Sequence, residues 1–382
     1  MTVTLKQFFH NKKILITGHT GFKGAWLYTM LESFGAGVYG FALAPNSTED
    51  LSSLLGIDKS ERSFIGDICD YVALENVILK IKPEIIFHLA AQSLVLTSYA
   101  QPAETFKTNV LGTLNLLEIL RKNSLAPVVV NVTTDKCYAN FDSGVPFQEG
   151  DSLGGNDPYS ASKAMVEILS NSYYQSFFKP KEVFPKDGDE NAELRVQQEW
   201  HPRLATVRAG NVIGGGDWNE NRLVPDFVRF LSRNEDIVLR NPASTRPWQF
   251  VLEPLYAYCL LAYKLSLEDG FKYCSAWNIG PDKDSCVSVL ELTRIFLSKW
   301  GAGDYKLDES PSNKAKEAKL LMLDASKAKR ELGWRPVLNI EQAIFMTALW
   351  YKAFLENKSE IKDFTYSQIE DFLTLYDNHG CV

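Results

Sequence analysis

The sequence is poor in cysteine and histidine. Its six cysteines (Cys69, Cys137, Cys259, Cys274, Cys286 and Cys381) are scattered through 382 residues with no Cys-x-x-Cys pair. That spacing argues against a disulfide framework and against a zinc site. The five histidines lie too far apart to suggest a structural metal. No uninterrupted apolar run reaches the ~20 residues that a bilayer span needs. Met1 to Lys13 holds no apolar signal-peptide core. The reading is a cytoplasmic protein with no membrane partner. Positive charge is not in excess either. The formal net charge is −7, which argues against a general nucleic-acid binder but leaves room for a local basic pocket. Repeats and long low-complexity segments are also absent. What remains, 45% hydrophobic and 23% charged, is long enough for a main domain and a smaller one.

The stretch Asp157-Pro158-Tyr159-Ser160-Ala161-Ser162-Lys163 stands out. Pro158 suits a first helical position, which needs no N–H donor. Asp157 before it is a good N-cap. Tyr159 and Lys163 then share one helical face. A phenol, with a pKa near ~10, is a poor base at neutral pH. A nearby ammonium favours the phenolate and lowers that pKa. The pair is a candidate proton-transfer device, although the spacing alone is common by chance.

Near the N-terminus, Lys13 to Thr17 reads as a buried strand. It runs into Gly18-His19-Thr20-Gly21-Phe22-Lys23-Gly24 and then a helix to about Phe34. Between a strand and a helix, this is a dinucleotide-binding turn. Gly18 permits the sharp turn, Gly21 lets the backbone approach a pyrophosphate, and Gly24 allows close helix–strand packing. The helix N-terminus adds N–H groups and a positive dipole end. The second strand, near Val38 to Ala42, lacks the terminal acid that would hold a ribose 2′-hydroxyl, and no Arg replaces it. The choice between NAD and NADP is open at that position. A third strand near Ser63 ends in Asp67-Ile68. Either Asp67 accepts from an adenine amino group while Ile68 packs on the ring, or Asp67 caps the next helix. A fourth strand from Ile85 leaves through Ala90-Ala91-Gln92, small enough for a cofactor to lie close, and His88 within it reads as a packed core residue. The following helix, roughly 102–122, contains Asn109. Asn is disfavoured inside a helix, so this one is expected to hydrogen-bond something specific.

The fifth strand, from Val128, delivers Thr133-Thr134-Asp135-Lys136 to the carboxyl edge of the sheet, where open α/β folds bind ligands. A hydroxyl, a carboxylate and an amine leave the strand together, just before the helix of Tyr159 and Lys163. Beyond a further strand near Leu204, Gly214-Gly215-Gly216 reads as a flexible turn around a ligand. Arg222, Arg246 and Trp248 suit the nucleotide end of a substrate, since Arg grips phosphate and an indole stacks on a base.

Together these motifs resemble the extended short-chain dehydrogenase/reductase superfamily and, within it, the CDP-glucose 4,6-dehydratases. The resemblance runs over about 10–350. It rests on the glycine turn, on Thr134-Asp135-Lys136 where most related dehydratases have Thr-Asp-Glu, and on Arg208-Ala209-Gly210-Asn211-Val212-Ile213-Gly214-Gly215-Gly216-Asp217-Trp218. It also rests on Arg222-Leu223-Val224-Pro225-Asp226, on Asn241 to Gln249, and on Leu332-Gly333-Trp334-Arg335-Pro336. Phe250 departs from it, standing where that family usually has His. The charged stretch 177–201 is longer than expected, and the resemblance does not cover the tail beyond about Asn357. The implied fold is α/β: a Rossmann-type doubly wound parallel sheet with a smaller mixed α/β C-terminal substrate domain. The expected division is 1–205 for the dinucleotide, 206–357 mainly for the nucleotide-sugar with segments interleaved in the Rossmann sheet, and 358–382 as an extension of unassigned role. The resemblance implies NAD-dependent dehydration of CDP-D-glucose, in deoxysugar biosynthesis for surface polysaccharide. It makes Thr134, Asp135, Lys136, Tyr159 and Lys163 catalytic. It gives the cofactor to the turn 18–24, Asp67, Ile68, Ala90, Ala91, Gln92 and Asn109, with Tyr159 and Lys163. Asn211, Arg222, Leu223, Arg246 and Trp248 are left for the substrate, with no metal. It also implies a homodimer joined through a four-helix bundle built from the helix near 105–120 and the helix of Tyr159.

Overall fold

The computed structural model describes residues 4–140, 144–180, 201–308 and 321–379, with the backbone of two short strands at 182–183 and 195–196. Five strands come first: β1 (Lys13–Thr17), β2 (Gly37–Ala42), β3 (Ser63–Ile65), β4 (Ile85–His88) and β5 (Val128–Val132). The pair β6 (Glu182–Val183) and β7 (Arg195–Val196) is antiparallel. Most of the charged 177–201 stretch around it lies outside the described residues. Then come β8 (Arg203–Ala209), β9 (Asn211–Ile213), β10 (Ile237–Leu239), β11 (Thr245–Phe250), β12 (Ala276–Ile279), β13 (Cys286–Ser288) and β14 (Tyr305–Leu307).

Seven strands form one parallel sheet in the order β12-β8-β5-β4-β1-β2-β3. Strand order reverses between β1 and β4, which opens a crevice at their carboxyl ends. The central strands are mostly apolar because helices cover both faces, with Thr17, His88 and Asn131 as buried polar residues near their carboxyl ends. Alternate residues serve opposite layers. Ile14, Ile16, Ile85, Phe87, Val128 and Val130 enter one core with helices Phe22–Ser33 and Leu252–Ser266. Leu15, Ile86 and Val129 enter the other with helices Tyr71–Ile81 and Gly112–Lys122.

The smaller unit holds the three-stranded sheet β13-β11-β9 and the pair β10-β14. Helices Leu223–Ser232 and Val289–Trp300 flank them. The chain returns twice to the main sheet, as the helix Leu252–Ser266 and as β12. Among the described residues no helix is long and apolar enough to cross a membrane.

Two features go beyond the sequence reading. The region after Asn357 forms a helix, Ile361–Asn378, folded into the main core through Ile369, Phe372 and Tyr376. Its Tyr366 hydroxyl donates to Glu32 at the far end of the chain (2.5 Å). The Gly214–Gly216 segment, read as a flexible turn, is instead tightly packed. The Gly215 carbonyl accepts from Trp26 Nε1 (2.9 Å), and a Cβ at Gly215 would stand inside the Trp350 ring. Phe250, where a polar contact was in doubt, is fully buried with its ring edge-on to Trp26.

Gly215→Ala is expected to destabilise the fold by about 3 kcal/mol through overpacking against Trp350, measured as a lower urea midpoint at an unchanged slope.

Candidate active site

The helix Pro158–Tyr173 begins as its sequence dictates. Asp157 Oδ1 accepts from Ser160 N (2.9 Å), and Pro158 takes the first turn. Four-residue steps then place Tyr159, Lys163 and Glu167 on the face turned to the end of β5. Lys163 Nζ donates to the Val132 carbonyl (3.1 Å). From that strand end, Thr134 Oγ1 donates to Asp135 Oδ1 (3.1 Å), and Lys136 Nζ lies 3.5 Å from the same oxygen. Asp135 is almost wholly buried, and its Oδ2 has no partner among the described residues.

These groups open on a cleft of about 1300 Å³ between the main sheet and the smaller unit. Every residue assigned to the site from the sequence lines it, except His19 and Asn109. The placement of both side chains outside it has a physical basis. His19 is fully buried beneath β2, where Gly40 leaves room for its ring, and its Nε2 lies 2.7 Å from Ser63 Oγ. Burial lowers its pKa to about 4, so the ring is neutral. Asn109 sits in a π-helical turn, Lys107–Leu111, of the kind often found at functional sites. It accepts from Gln92 N (2.8 Å), and it donates to Gln92 O (3.1 Å) and Ser162 Oγ (2.8 Å). It therefore ties the exit of β4 to the Tyr159 helix. His88 is core, as read, with Nδ1 2.7 Å from Thr17 Oγ1 and Nε2 3.0 Å from Thr113 Oγ1.

At the same carboxyl edge, after β1, Gly18 adopts φ +79° and its Cα faces the backbone of Leu89 and Ala90. Gly24 packs directly on the Gly18 carbonyl. A Cβ at Gly21 would meet only the Gly18 carbonyl, at 3.4 Å, and otherwise stand in the cleft. Asp67 Oδ1 accepts from Cys69 N (2.9 Å), while Asp70 caps the helix that follows. Asp67 is thus a turn residue facing the cleft and not the helix cap. On the smaller unit, Arg222 donates to Asp217 Oδ2 and Ser93 Oγ (both 3.3 Å), spanning the cleft wall. Asn211 Oδ1 is buried with no partner among the described residues. Arg246 is largely buried and donates to the Thr245 carbonyl (2.9 Å), and Trp248 Nε1 donates to the Val287 carbonyl (3.2 Å).

The electrostatics are those of an anion site. Burial, then Lys163 and Arg222, lower the Lys23 pKa to about 7. Burial lowers Lys163 to about 8, against the opposing pull of Glu167. Lys23, Lys163 and Arg222 share the cleft with Lys136, Arg240 and Arg246, which suits diphosphates. Tyr159 runs against expectation. Burial pushes its pKa up to about 12, although a hydrogen bond from Thr134 and the charge of Arg222 pull it down. The Lys163 amine is directed to the Val132 carbonyl, and desolvation of the phenol outweighs the neighbouring cations.

Sequence reasoning passed over Ser93, Asp217 and Glu167. Glu167 was open to discovery, since it continues the Tyr159–Lys163 spacing by one more step. Ser93 and Asp217 matter only through Arg222, which no local pattern announces.

A crevice of this kind, with a dinucleotide turn at one end and Tyr, Lys and a strand-end Thr-Asp-Lys at the other, defines an enzyme of the extended short-chain dehydrogenase/reductase class. The family described as GDP-mannose 4,6 dehydratase matches residues 15–181. The CDP-glucose 4,6-dehydratase of Salmonella typhimurium is 40% identical over 94% of this chain and 98% of its own. Among solved structures, dTDP-glucose 4,6-dehydratase from Streptomyces venezuelae, with NAD bound, superposes with a TM-score of 0.71 at 24% identity, covering 92% of this chain and 99% of that one. The epimerase Mth375 of Methanothermobacter thermautotrophicus gives 0.75 at 21%, covering 93% and 96%. The chain belongs to the CDP-glucose 4,6-dehydratase family of nucleotide-sugar dehydratases.

The buried amine makes a stability prediction. The folded pKa of Lys163, about 8, lies below the unfolded value of ~10.4. Below pH 8 both states hold the proton, and the native state bears the full cost of burying it. Between about pH 8 and 10.4 the unfolded chain binds more protons, so stability rises with pH. Lys163→Met should therefore gain on the order of 2 kcal/mol at pH 7, after allowing for the lost bond to Val132. The gain should shrink towards pH 10, as read by urea denaturation at both values.

Proposed function

We propose that this protein removes water from CDP-D-glucose, giving CDP-4-dehydro-6-deoxy-D-glucose, with NAD recycled within each turnover. One observation carries the reading: Thr134-Asp135-Lys136 opens into the same cleft as Tyr159 and Lys163. Tyrosine and lysine provide for oxidation at a carbinol carbon, and the acid and amine beside them provide for elimination. The 40% identity to the Salmonella typhimurium CDP-glucose 4,6-dehydratase supports the choice of nucleotide and sugar.

The chain fits the dinucleotide. Gly21 leaves open cleft where a side chain would stand, and the helix Phe22–Ser33 presents its N-terminus there. Asp67 and Ile68 would flank the adenine, Ala90 and Ala91 would lie under the middle, and Lys163 would hold the nicotinamide ribose. When bound, NAD supplies a cationic ring and the acceptor for the C4 hydride, which returns to C6, so no reductant is consumed.

The burial that raises the Tyr159 pKa would be offset by a cationic nicotinamide ring beside it, and Tyr159 as phenolate would then take the proton from O4 while Thr134 donates to that oxygen and orients it. The 4-keto group acidifies C5–H. Lys136 takes the C5 proton, and Asp135 gives its own proton to the leaving C6 hydroxyl, which departs as water. Lys136 Nζ lies 3.5 Å from Asp135 Oδ1, so the base and the acid would stand side by side at the strand end, and the double transfer would leave them as ammonium and carboxylate. Arg222 and Arg246 meet the diphosphate, Asn211 and Leu223 border the sugar nucleotide, and Trp248 flanks its base.

The reading includes a cytoplasmic homodimer that feeds surface-polysaccharide synthesis. The helices around 102–122 and Pro158–Tyr173 pack together. They expose Leu111, Met165 and Ile168, an apolar strip that a second copy would cover in a four-helix bundle.

Incubation with CDP-, dTDP-, GDP- and UDP-sugars, without added reductant, should give a product one water lighter from CDP-glucose. Water loss from a different sugar nucleotide alone overturns the substrate. A hydroxyl sugar of unchanged mass means an epimerase, the activity of a neighbour of the same fold. Tyr159→Phe should lower kcat about 10³-fold. Lys136→Ala should lose C5 solvent exchange, and full exchange in that variant would assign the C5 proton to another base.

A further inference from the structure

One buried ion pair takes no part in the chemistry above. Glu167 and Arg208 are 4% and 3% exposed, and Arg208 Nη2 donates to Glu167 Oε2 (2.8 Å). Thr206 Oγ1 donates to the same oxygen (2.7 Å), and Thr133 Oγ1 donates to Oε1. Arg208 Nη1 reaches on to the Tyr138 hydroxyl (2.8 Å) and the Glu149 carbonyl (3.0 Å). The carboxylate is thus gripped from β5 and β8 while it rides on the helix of Tyr159 and Lys163.

A buried ion pair is weak evidence for stability, since apolar residues of equal volume often serve as well. Its location decides what it does. Thr133 immediately precedes Thr134, and Glu167 lies one turn beyond Lys163. The pair fixes the two elements whose separation sets the distance from Tyr159 to Thr134 and Asp135. A misplacement of about 1 Å at such a site can cost ~10²-fold in rate.

We propose that Glu167, locked by Arg208, is a positioning residue of the active site: it holds Thr133-Thr134 against the Tyr159 helix and is the anionic neighbour of Lys163. This rests on the roles given to Tyr159 and Lys163 above. Several groups set the charge around Lys163. Glu167 and Tyr159 stand on its own helix, and Cys137 follows β5. Lys23 stands beside the glycine turn, His88 on β4, and Asp135 and Arg208 lie beyond. Glu167, one turn along the helix, favours the ammonium.

The test compares the full-length protein with Glu167→Gln, Glu167→Gln/Arg208→Met and Thr206→Val. Glu167→Gln should lower kcat for CDP-glucose at least tenfold with KM within threefold. It leaves Arg208 uncompensated, so the basic limb of the kcat profile should move to lower pH by about half a unit or more. The double variant removes both charges. It should return the limb towards the wild-type position without restoring kcat, which a merely structural role would not do. Thr206→Val deletes one hydroxyl and no charge, and should lower kcat severalfold with the protein still folded and its melting temperature lowered by only a few degrees. Wild-type kcat in Glu167→Gln and Thr206→Val, or a limb that stays put in the single variant, overturns the proposal. If Glu167→Gln does not fold, the Thr206→Val rate decides. A wild-type protein inactive on every sugar nucleotide would fail the functional reading instead. The clamp is then judged by amide hydrogen exchange at Thr133–Cys137, which should be at least tenfold faster in Thr206→Val and unchanged if the proposal is wrong.

Discussion

Desolvation of charge governs this molecule. The strands of the parallel sheet are mostly apolar on both faces, so polar chemistry gathers towards their carboxyl ends. There the chain places Lys23, Lys163 and Arg222 around one cleft. Lys23 and Lys163 both have lowered pKa values because water is excluded from them. The ligands that answer this field are polyanionic. In their absence the fold carries a standing electrostatic cost at its site, as enzymes commonly do.

That cost explains the scaffolding around the cleft. Asn109 links the exit of β4 to the Tyr159 helix through Gln92 and Ser162. Arg222 is braced by Asp217, whose carbonyl in turn accepts from the Tyr351 hydroxyl (2.6 Å). Asn109 and Arg222 are therefore each held by neighbours that themselves have fixed partners. This restrains side chains that would otherwise turn towards water.

Local physics made much of this legible in the sequence. The start of the Tyr159 helix is written in Asp157 and Pro158, because capping and proline geometry act within four residues. The glycine turn was legible for the same reason, and the buried strands announced themselves by continuous apolarity. The failures share a cause in distance along the chain. The Gly214–Gly216 segment is close-packed because of Trp26 and Trp350, neither of them near in sequence. His19 turns inward because Gly40 and Ser63 make a place for it. The direction of the Tyr159 shift depends on how deeply the finished fold buries the phenol, which helical spacing does not encode.

The helix Ile361–Asn378 has a kinetic consequence. Its Tyr366 meets Glu32 across 334 residues, and Phe372 and Tyr376 fill the core that the helix Phe22–Ser33 shares. The βα unit of β1 and the helix Phe22–Ser33 is thus completed only long after it has been made. Contacts of such long range are slow to form, because the loop must close before they reward it. During synthesis the helix Phe22–Ser33 lacks this cover until Ile361–Asn378 has followed, and apolar surface left open in that interval is what chaperones bind.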